Sequence, residues 1–94
     1  MTIVREKRGS TTIVRLQGVV KLGESAQQFS DFLEKVLEEE DGPVLLDFEK
    51  IDQIDSTGLG ELIGYLQRFE ERRRRMVIVR PKDKIVTLLK LTRL

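Results

Sequence analysis

The sequence contains no cysteine, no histidine and no tryptophan. The absence of cysteine excludes a disulfide scaffold, a thiolate metal site and a cysteine nucleophile. The absence of histidine removes the commonest metal ligand and the commonest general base. Most hydrolase triads and zinc sites are thereby excluded. The sequence also has no Gly-rich phosphate loop and no second acid/base partner for its acidic residues, and we predict that the chain is not an enzyme, has no catalytic residues and holds neither a metal nor a cofactor.

Strong net charge and long apolar runs are also missing. The 94 residues include 17 basic and 16 acidic side chains, which give a net charge of +1. A charge this small provides no field that attracts DNA or RNA. The apolar runs, such as Met76–Val79, are far shorter than the roughly 20 residues that a membrane helix needs. The N-terminus lacks the apolar segment of a secretory signal, so we expect a cytoplasmic protein that binds neither nucleic acid nor membrane.

The order of the elements indicates the fold class. Strand signals begin at Ile3 and cover Thr12–Leu16, Val44–Phe48 and Met76–Val79, and Gly18 is predicted to end the second strand. Three amphipathic helices complete the order β-β-α-β-α-β-α. Strands that alternate with helices imply right-handed crossovers and a mostly parallel sheet. We predict a single α/β domain over residues 1–94, with a mixed sheet of about four strands and helices packed on it.

The first helix has a start signal, an apolar stripe and a stop signal. Ser25 and Gln28 have the spacing of a capping box in which Ser25 is the N-cap. Gly42 and Pro43 stop the helix. The stripe consists of Phe29, Phe32, Leu33, Val36 and Leu37. This spacing is that of one face of an amphipathic helix.

The other two helices are predicted from the same kind of pattern. A short polar connector flanked by Ile51 and Ile54 is predicted to lead into the second helix, which opens at Asp55. The stripe of the second helix consists of Leu59, Leu62, Ile63, Leu66 and Phe69. The third helix, marked by Ile85, Leu88, Leu89 and Thr92, is predicted to run to the C-terminus.

The segment Asp55–Gly60, with the sequence Asp-Ser-Thr-Gly-Leu-Gly, is the most unusual part of the chain. Its two glycines lie near a helix start, where each costs about 1 kcal/mol relative to alanine. Glycine allows another surface to approach the backbone closely, and the N–H groups at a helix start suit a phosphate. Asp, Ser and Thr are also the preferred helix caps. These residues alone leave both interpretations open, a structural cap and a functional site.

This segment and the buried Leu-Leu-Asp-Phe strand before it resemble the signature of STAS domains, specifically of the bacterial anti-sigma factor antagonists. Gly18–Glu24 resembles the loop after the second strand in one branch of that family. Leu88–Leu94 resembles its last helix. The predicted element order agrees with the family along nearly the whole chain.

The resemblance implies a phosphorylation-controlled partner switch. In the family, the Ser directly after the Asp is phosphorylated by an anti-sigma factor with serine kinase activity, and that residue is Ser56 here. Thr57 takes the next position, which is usually a second Ser or a Thr. The unphosphorylated antagonist binds the anti-sigma factor, so that the sigma factor is released, whereas the phosphorylated antagonist does not bind. Ser56 is then a substrate, and the chain regulates sigma-factor-dependent transcription.

Two segments are expected to contact the partner. Loops that join strands to helices at one end of a parallel sheet cluster in space, so the starts of the first two helices are expected to lie side by side. The predicted partner-binding residues are Leu22, Gly23, Glu24, Ser25, Asp55, Ser56, Thr57, Gly58 and Gly60. Leu59 is assigned to the core. Each segment also has a purely structural interpretation, as a loop with a helix cap.

Three features depart from the family pattern. Lys21 stands where many members carry an Asp. If that Asp helps the kinase to recognise the domain, Lys21 weakens the case for phosphorylation of Ser56 or indicates a different partner. Arg72–Arg75 stands where a Gly-Gly turn is common, and a non-glycine residue in a left-handed cap costs roughly 1 kcal/mol. The chain stops at Leu94, whereas homologous domains usually continue into a short strand or tail. A missing strand would leave an open sheet edge or an apolar patch, which favours a homodimer.

Other functions also remain open. A STAS domain without a phosphorylation switch would be a scaffold subunit of a signalling complex or a transporter. A small nucleotide-binding domain or enzyme would use the second helix start for phosphate. A separate catalytic hypothesis is that Asp47, Asp52 and Asp55, a loose acidic set around one connector, bind Mg²⁺ through their carboxylates. The Arg72–Arg75 run suggests a nucleic-acid or anionic-lipid site, although such surfaces usually have a broader basic footprint.

Overall fold

The computed structural model describes residues 1–91. Its elements are β1 (Thr2–Arg8), β2 (Thr11–Val20), α1 (Glu24–Glu39), β3 (Val44–Ile54), α2 (Ser56–Glu71), β4 (Met76–Val79) and α3 (Asp83–Leu91). The predicted α/β class and the predicted order β-β-α-β-α-β-α are therefore confirmed. Residues 92–94, which the sequence assigns to the last helix, lie outside the described residues.

The four strands form one mixed sheet in the order β1-β2-β3-β4. β1 and β2 are an antiparallel hairpin, whereas β3 pairs in parallel with both β2 and β4. The carboxyl ends of β2 and β3 lie side by side, because Val20 is paired with Ile54. This register places the starts of α1 and α2 next to each other at one end of the sheet.

The core lies where α1 and α2 contact each other and the sheet. Its largest fully buried side chains include Phe29, Leu33, Leu46, Phe48, Leu62 and Phe69. The predicted stripe of α1 is buried except for Phe32, which is half-buried against the core. The predicted stripe of α2 is partly wrong. Tyr65 is buried instead, and Leu59, Ile63 and Leu66 are half-buried.

Two predicted strand ends are wrong. β2 continues through Gly18, and β3 includes Ile51 and Ile54, which the sequence placed beside a connector. Gly18 has a φ of +118°, and the pairing of β2 with β3 shifts register between Gly18 and Val19. A glycine at such a bulge lets a strand bend and continue. Gly18 therefore shapes β2 rather than ending it.

The position of β4 corrects a third expectation. The sequence predicts Met76–Val79 as a buried strand, and its bounds are confirmed. The strand lies at the edge of the sheet, however, and all four of its residues are half-buried. An edge strand has a neighbour on one side only, so its four apolar residues are covered less than those of β3.

At the end of α2, arginines stand where the STAS pattern has a Gly-Gly turn, and they form an ordered but strained C-cap. Arg73 has a φ of +56°. Its N–H donates to the Glu70 carbonyl oxygen at 2.8 Å, and the Arg74 N–H donates to that of Phe69 at 2.9 Å. These two bonds are those of a Schellman motif, which usually places glycine where Arg73 stands.

The Arg74 side chain contacts both the end of α1 and the end of α2. Its guanidinium lies 4.7 Å from the centre of the Phe69 ring. It donates to the carbonyl oxygens of Leu37 and Gly42, both at 3.0 Å. Arg72 also donates to the Leu37 carbonyl oxygen, at 3.3 Å. Two of the four arginines thus stabilise a helix junction, which weakens the nucleic-acid interpretation of this run.

Candidate functional site

Asp55 is the N-cap of α2 and the centre of the candidate site. It follows β3 directly, and its backbone N–H donates to the Val20 carbonyl oxygen at 3.0 Å. Its Oδ1 accepts a hydrogen bond from the Gly58 N–H at 2.9 Å, and its Oδ2 accepts one from the Leu22 N–H at 2.8 Å. These backbone donors, Gly58 first and Leu22 second, lower the pKa of the Asp55 carboxyl. The carboxylate therefore stays ionised and joins the β2–α1 loop to α2.

Ser56 is the first residue of α2 and is exposed to solvent. In the described part of the chain its hydroxyl has no hydrogen-bond partner, since the helix is capped by Asp55 instead. Thr57, the next residue, is half-buried. Of the two hydroxyls, the one on Ser56 is the more open to another molecule.

The two glycines at the start of α2 have different environments. A Cβ on Gly58 would lie 2.7 Å from Val20 Cγ1 and 2.8 Å from the Val20 carbonyl oxygen. Gly58 therefore allows α2 to pack against the end of β2. Gly60 is exposed, and a Cβ there would have no neighbour within 4 Å. The structure thus accounts for Gly58 by packing inside the domain, whereas Gly60 lies on the open surface.

The β2–α1 loop differs from the predicted capping box. α1 begins at Glu24, and Gly23, at a φ of +103°, is its N-cap without a side-chain hydrogen bond. Ser25 Oγ instead accepts from the Lys21 N–H at 3.0 Å and donates to the Lys21 carbonyl oxygen at 3.2 Å. The Gln28 side chain donates to the Met1 carbonyl oxygen at 3.1 Å. Ser25 therefore stabilises the loop before α1 and does not cap the N-terminus of the helix.

Leu22 is the exposed apolar residue of this loop. The residue is 75% exposed, although its N–H is bound to Asp55. Glu24 is exposed in the first turn of α1. The structure therefore brings the two predicted segments together through the contact between Leu22 and Asp55. Sequence reasoning missed this bond and the packing of Val20 on Gly58, because both join residues that are distant in the sequence.

The three acidic residues considered for Mg²⁺ are engaged separately. Asp52 pairs with Lys82, and Asp55 caps α2. Burial opposes the ionised form of Asp47, but the Arg80 guanidinium and the Glu49 N–H lower its pKa below the ordinary value. Within residues 1–91, no group of three or more acidic residues is placed to hold a metal ion. No helix in this part of the chain has the length and apolar character needed to cross a membrane.

The STAS domain family model matches residues 2–94, and the chain belongs to that family. No curated protein matches the chain by sequence. The solved structures that it resembles include an anti-sigma factor antagonist, a candidate anti-sigma factor antagonist, and a longer protein, Mglu.

SpoIIAA, an anti-sigma factor antagonist, has a TM-score of 0.77 and 17% identity in its unphosphorylated form, over 96% of this chain and 83% of SpoIIAA. Its phosphorylated form, from Bacillus, has a TM-score of 0.79 and 17% identity, over 97% of this chain and 83% of that one. A candidate anti-sigma factor antagonist from Thermotoga maritima has a TM-score of 0.88 and 20% identity, over 97% of this chain and 78% of that one.

Mglu has a TM-score of 0.73 and 23% identity, over 85% of this chain and 20% of Mglu. The chain therefore spans about a fifth of the length of Mglu. At these identities the likeness to the solved structures shows a shared fold. The fold class predicted from the sequence agrees with them.

Proposed function

We propose that the chain is an anti-sigma factor antagonist that works by partner switching in the bacterial cytoplasm. In its unphosphorylated form it binds an anti-sigma factor with serine kinase activity, and the sigma factor is released. Phosphorylation of Ser56 by that kinase ends the binding, so the chain regulates sigma-factor-dependent transcription. The observation that carries the proposal is the exposed Ser56 hydroxyl, directly after the Asp55 cap and without a partner in the described fold.

The surface around Ser56 suits a protein partner. Leu22 offers a large exposed apolar side chain, and apolar anchors surrounded by polar groups are typical of interface centres. The open backbone at Gly60 allows close approach. The partner-binding surface that we propose comprises Leu22, Gly23, Glu24, Ser25, Asp55, Ser56, Thr57 and Gly60. Gly58 is buried against Val20 and supports this surface by packing α2 in place.

Phosphorylation at this position changes the surface more than the fold. A phosphate adds a charge of about −1.5 to −2 and three acceptor oxygens. The dipole of α2 favours negative charge at its first residue, and the Ser56 hydroxyl makes no bond that the fold would lose. A bound partner would instead meet a bulky, charged group. A difference of about 5.5 kcal/mol in binding free energy takes a complex from 99% to 1% populated.

Ser56 is thus a substrate, and ATP and the catalytic groups belong to the partner. The test is affinity capture from cells of the source organism with wild-type, Ser56→Ala and Ser56→Asp baits. Mass spectrometry then identifies the captured proteins and maps phosphate on the endogenous chain. We expect wild type and Ser56→Ala to capture an ATP-binding kinase, Ser56→Asp to lose it, and phosphate to lie on Ser56.

Ser10→Asp is the matched control. Ser10 is an exposed serine at the turn between β1 and β2, at the opposite end of β2 from the site. This variant adds the same charge and should capture as much kinase as wild type. Equal capture of one large complex by wild type and Ser56→Asp, with Ser56 unmodified in cells, would contradict the proposal and favour a scaffold subunit.

A further inference from the structure

Lys21 is an exposed cation in the loop that contacts Asp55, the residue before Ser56, and it has no ion pair in the described chain. Ten ion pairs join side chains within residues 1–91, and none of them includes Lys21. Six of the arginines and two other lysines, Lys7 and Lys82, are paired in this way. The ammonium group of Lys21 is therefore available to a charge that the unmodified chain does not carry.

The backbone places Lys21 next to the start of α2. Val20, the preceding residue, is paired with Ile54 and accepts from the Asp55 N–H. Leu22, the following residue, donates to Asp55 Oδ2. Lys21 thus lies between two contacts with the residue that precedes Ser56. Neighbouring strands are about 4.8 Å apart, and the four-carbon stem of a lysine spans such a gap easily.

The main chain of Lys21 is held on both sides. Its N–H donates to Ser25 Oγ at 3.0 Å, and its carbonyl oxygen accepts from the Ala26 N–H at 2.9 Å. The ammonium group can therefore move on its flexible stem while the backbone stays in place. The torsions of the side chain therefore allow it to turn toward a group on Ser56 with no change of the loop.

The local charge balance favours such a pair. Lys21 is the only cationic residue of the two segments 21–25 and 55–61, whereas Glu24, Asp55 and Glu61 are acidic. A phosphate on Ser56 would add a charge of about −1.5 to −2 to this acidic surrounding. An ammonium group within a few ångströms relieves that repulsion and favours the doubly charged phosphate.

We propose that the Lys21 ammonium group is the counter-ion of the phosphate on phosphorylated Ser56. This inference rests on the proposed function, since it takes Ser56 as the phosphorylated residue. In the unphosphorylated chain, which binds the partner, the Lys21 ammonium group is then unpaired. In the phosphorylated chain, which does not bind the partner, it is paired with the phosphate. A site with an acidic residue at position 21 would lack this pairing.

The test uses the chain with phosphoserine inserted at position 56 during translation, so that no kinase is needed. The second pKa of the phosphate is measured by a ³¹P NMR titration at low salt. We expect this pKa to be about half a unit lower in the Lys21 chain than in Lys21→Gln, because an opposite charge lowers it and solvent weakens the effect. Lys21→Arg should retain most of the lowering, and 1 M salt should remove most of it.

Lys35→Gln is the matched control. Lys35 is an exposed lysine of α1 without an ion pair in the described chain. It lies 11 residues after Glu24, which is about 16 Å along a helix and beyond the reach of a lysine side chain to the start of α2. This variant should leave the phosphate pKa unchanged. Equal phosphate pKa values in the Lys21 chain and in Lys21→Gln, with both folded by their amide spectra, would overturn the proposal. A failure to find a kinase or phosphate in cells would count against the proposed function alone.

Discussion

The carboxylate of Asp55 binds the backbone N–H of Leu22 at 2.8 Å, although the two residues are 33 positions apart in the sequence. The same carboxylate caps α2 through the Gly58 N–H. One side chain therefore fixes both the exposed Leu22 loop and the helix that begins with Ser56. The two segments of the candidate surface form one unit for this reason, and a partner that binds one of them also meets the other.

Asp55→Asn separates these two roles of the carboxylate. The Asn carbonyl oxygen accepts the Gly58 N–H as before, but the amide nitrogen that replaces Oδ2 cannot accept from Leu22. We expect α2 to remain capped, while the amide hydrogen of Leu22 exchanges with solvent more than tenfold faster. Hydrogen exchange measured by NMR reports Leu22 and Gly58 separately. Asp52→Asn, a change at an exposed aspartate that lies in β3, is the control. An unchanged exchange rate at Leu22 in Asp55→Asn would show that the bond does not hold the loop.

Alanine substitutions at Gly58 and Gly60 should have opposite effects on stability. In Gly58→Ala the new methyl group meets Val20 at 2.7 to 2.8 Å, and overpacking of this kind costs typically about 1–3 kcal/mol. In Gly60→Ala the methyl group meets nothing, so the better helix propensity of alanine should stabilise by about 1 kcal/mol. Urea unfolding measures both free energies. Similar stabilities of the two variants would mean that α2 shifts to relieve the contact with Val20.

Gly60→Ala also tests the proposed partner surface. The variant should be more stable than wild type and yet bind the partner less tightly, because the methyl group occupies space that the partner would approach. Binding is measured with the kinase recovered by affinity capture. Gly64→Ala is the control, since Gly64 lies one turn further along α2 and also has open space around its Cβ position. Equal binding by wild type and Gly60→Ala would remove Gly60 from the surface.

The predictable parts of the fold are those set by local patterns. The stripe of Phe29, Leu33 and Val36 gave the buried face of α1 because helical spacing and burial coincide there. The sequence left Asp55 open between a helix cap and a partner contact, and the structure shows that it caps α2. Met76–Val79 was predicted with the correct bounds because apolar residues stand between polar ones.

The errors arise where contacts between distant segments override a local pattern. Ser25 and Gln28 match a capping box, but Ser25 binds Lys21 and Gln28 binds the backbone of Met1. Gly18 is a typical strand terminator, yet pairing with β3 continues past it through a bulge. The burial of Tyr65 is likewise explained by α1, since its hydroxyl lies between Ser30 and Glu34. A single sequence carries no signal for these contacts.

Arg73→Gly should stabilise the domain. Arg73 has a φ of +56° at the end of α2, where a side chain costs roughly 1 kcal/mol and glycine does not. Part of this gain is lost because glycine also increases the freedom of the unfolded chain, so we expect a net gain of about 0.5 kcal/mol in urea unfolding. Arg75→Gly removes the same charge at a position outside the left-handed region and should destabilise. A loss of stability in Arg73→Gly would show that the arginine side chain makes contacts worth more than the strain.

Glu34 should make the domain sensitive to acid. Hydrogen bonds from Arg68 and from the Tyr65 hydroxyl lower the pKa of Glu34 from its ordinary value of 4.5 to about 2. A carboxyl whose pKa is lower in the folded state stabilises that state above its unfolded pKa and loses this effect as the pH falls through the folded pKa. The contribution of Glu34 should therefore be complete above pH 4.5 and disappear toward pH 2.

Glu34→Gln tests this pH dependence. The variant should be less stable than wild type at neutral pH, and the difference should shrink as the pH falls from about 4.5 to 2, because wild type then loses the same ion pair with Arg68. Urea unfolding at a series of pH values measures the difference directly. Glu71→Gln is the control, since Glu71 is an exposed glutamate of α2 with no ion pair in residues 1–91. A difference between wild type and Glu34→Gln that stays constant over this range would mean that Glu34 acts through packing rather than through its charge.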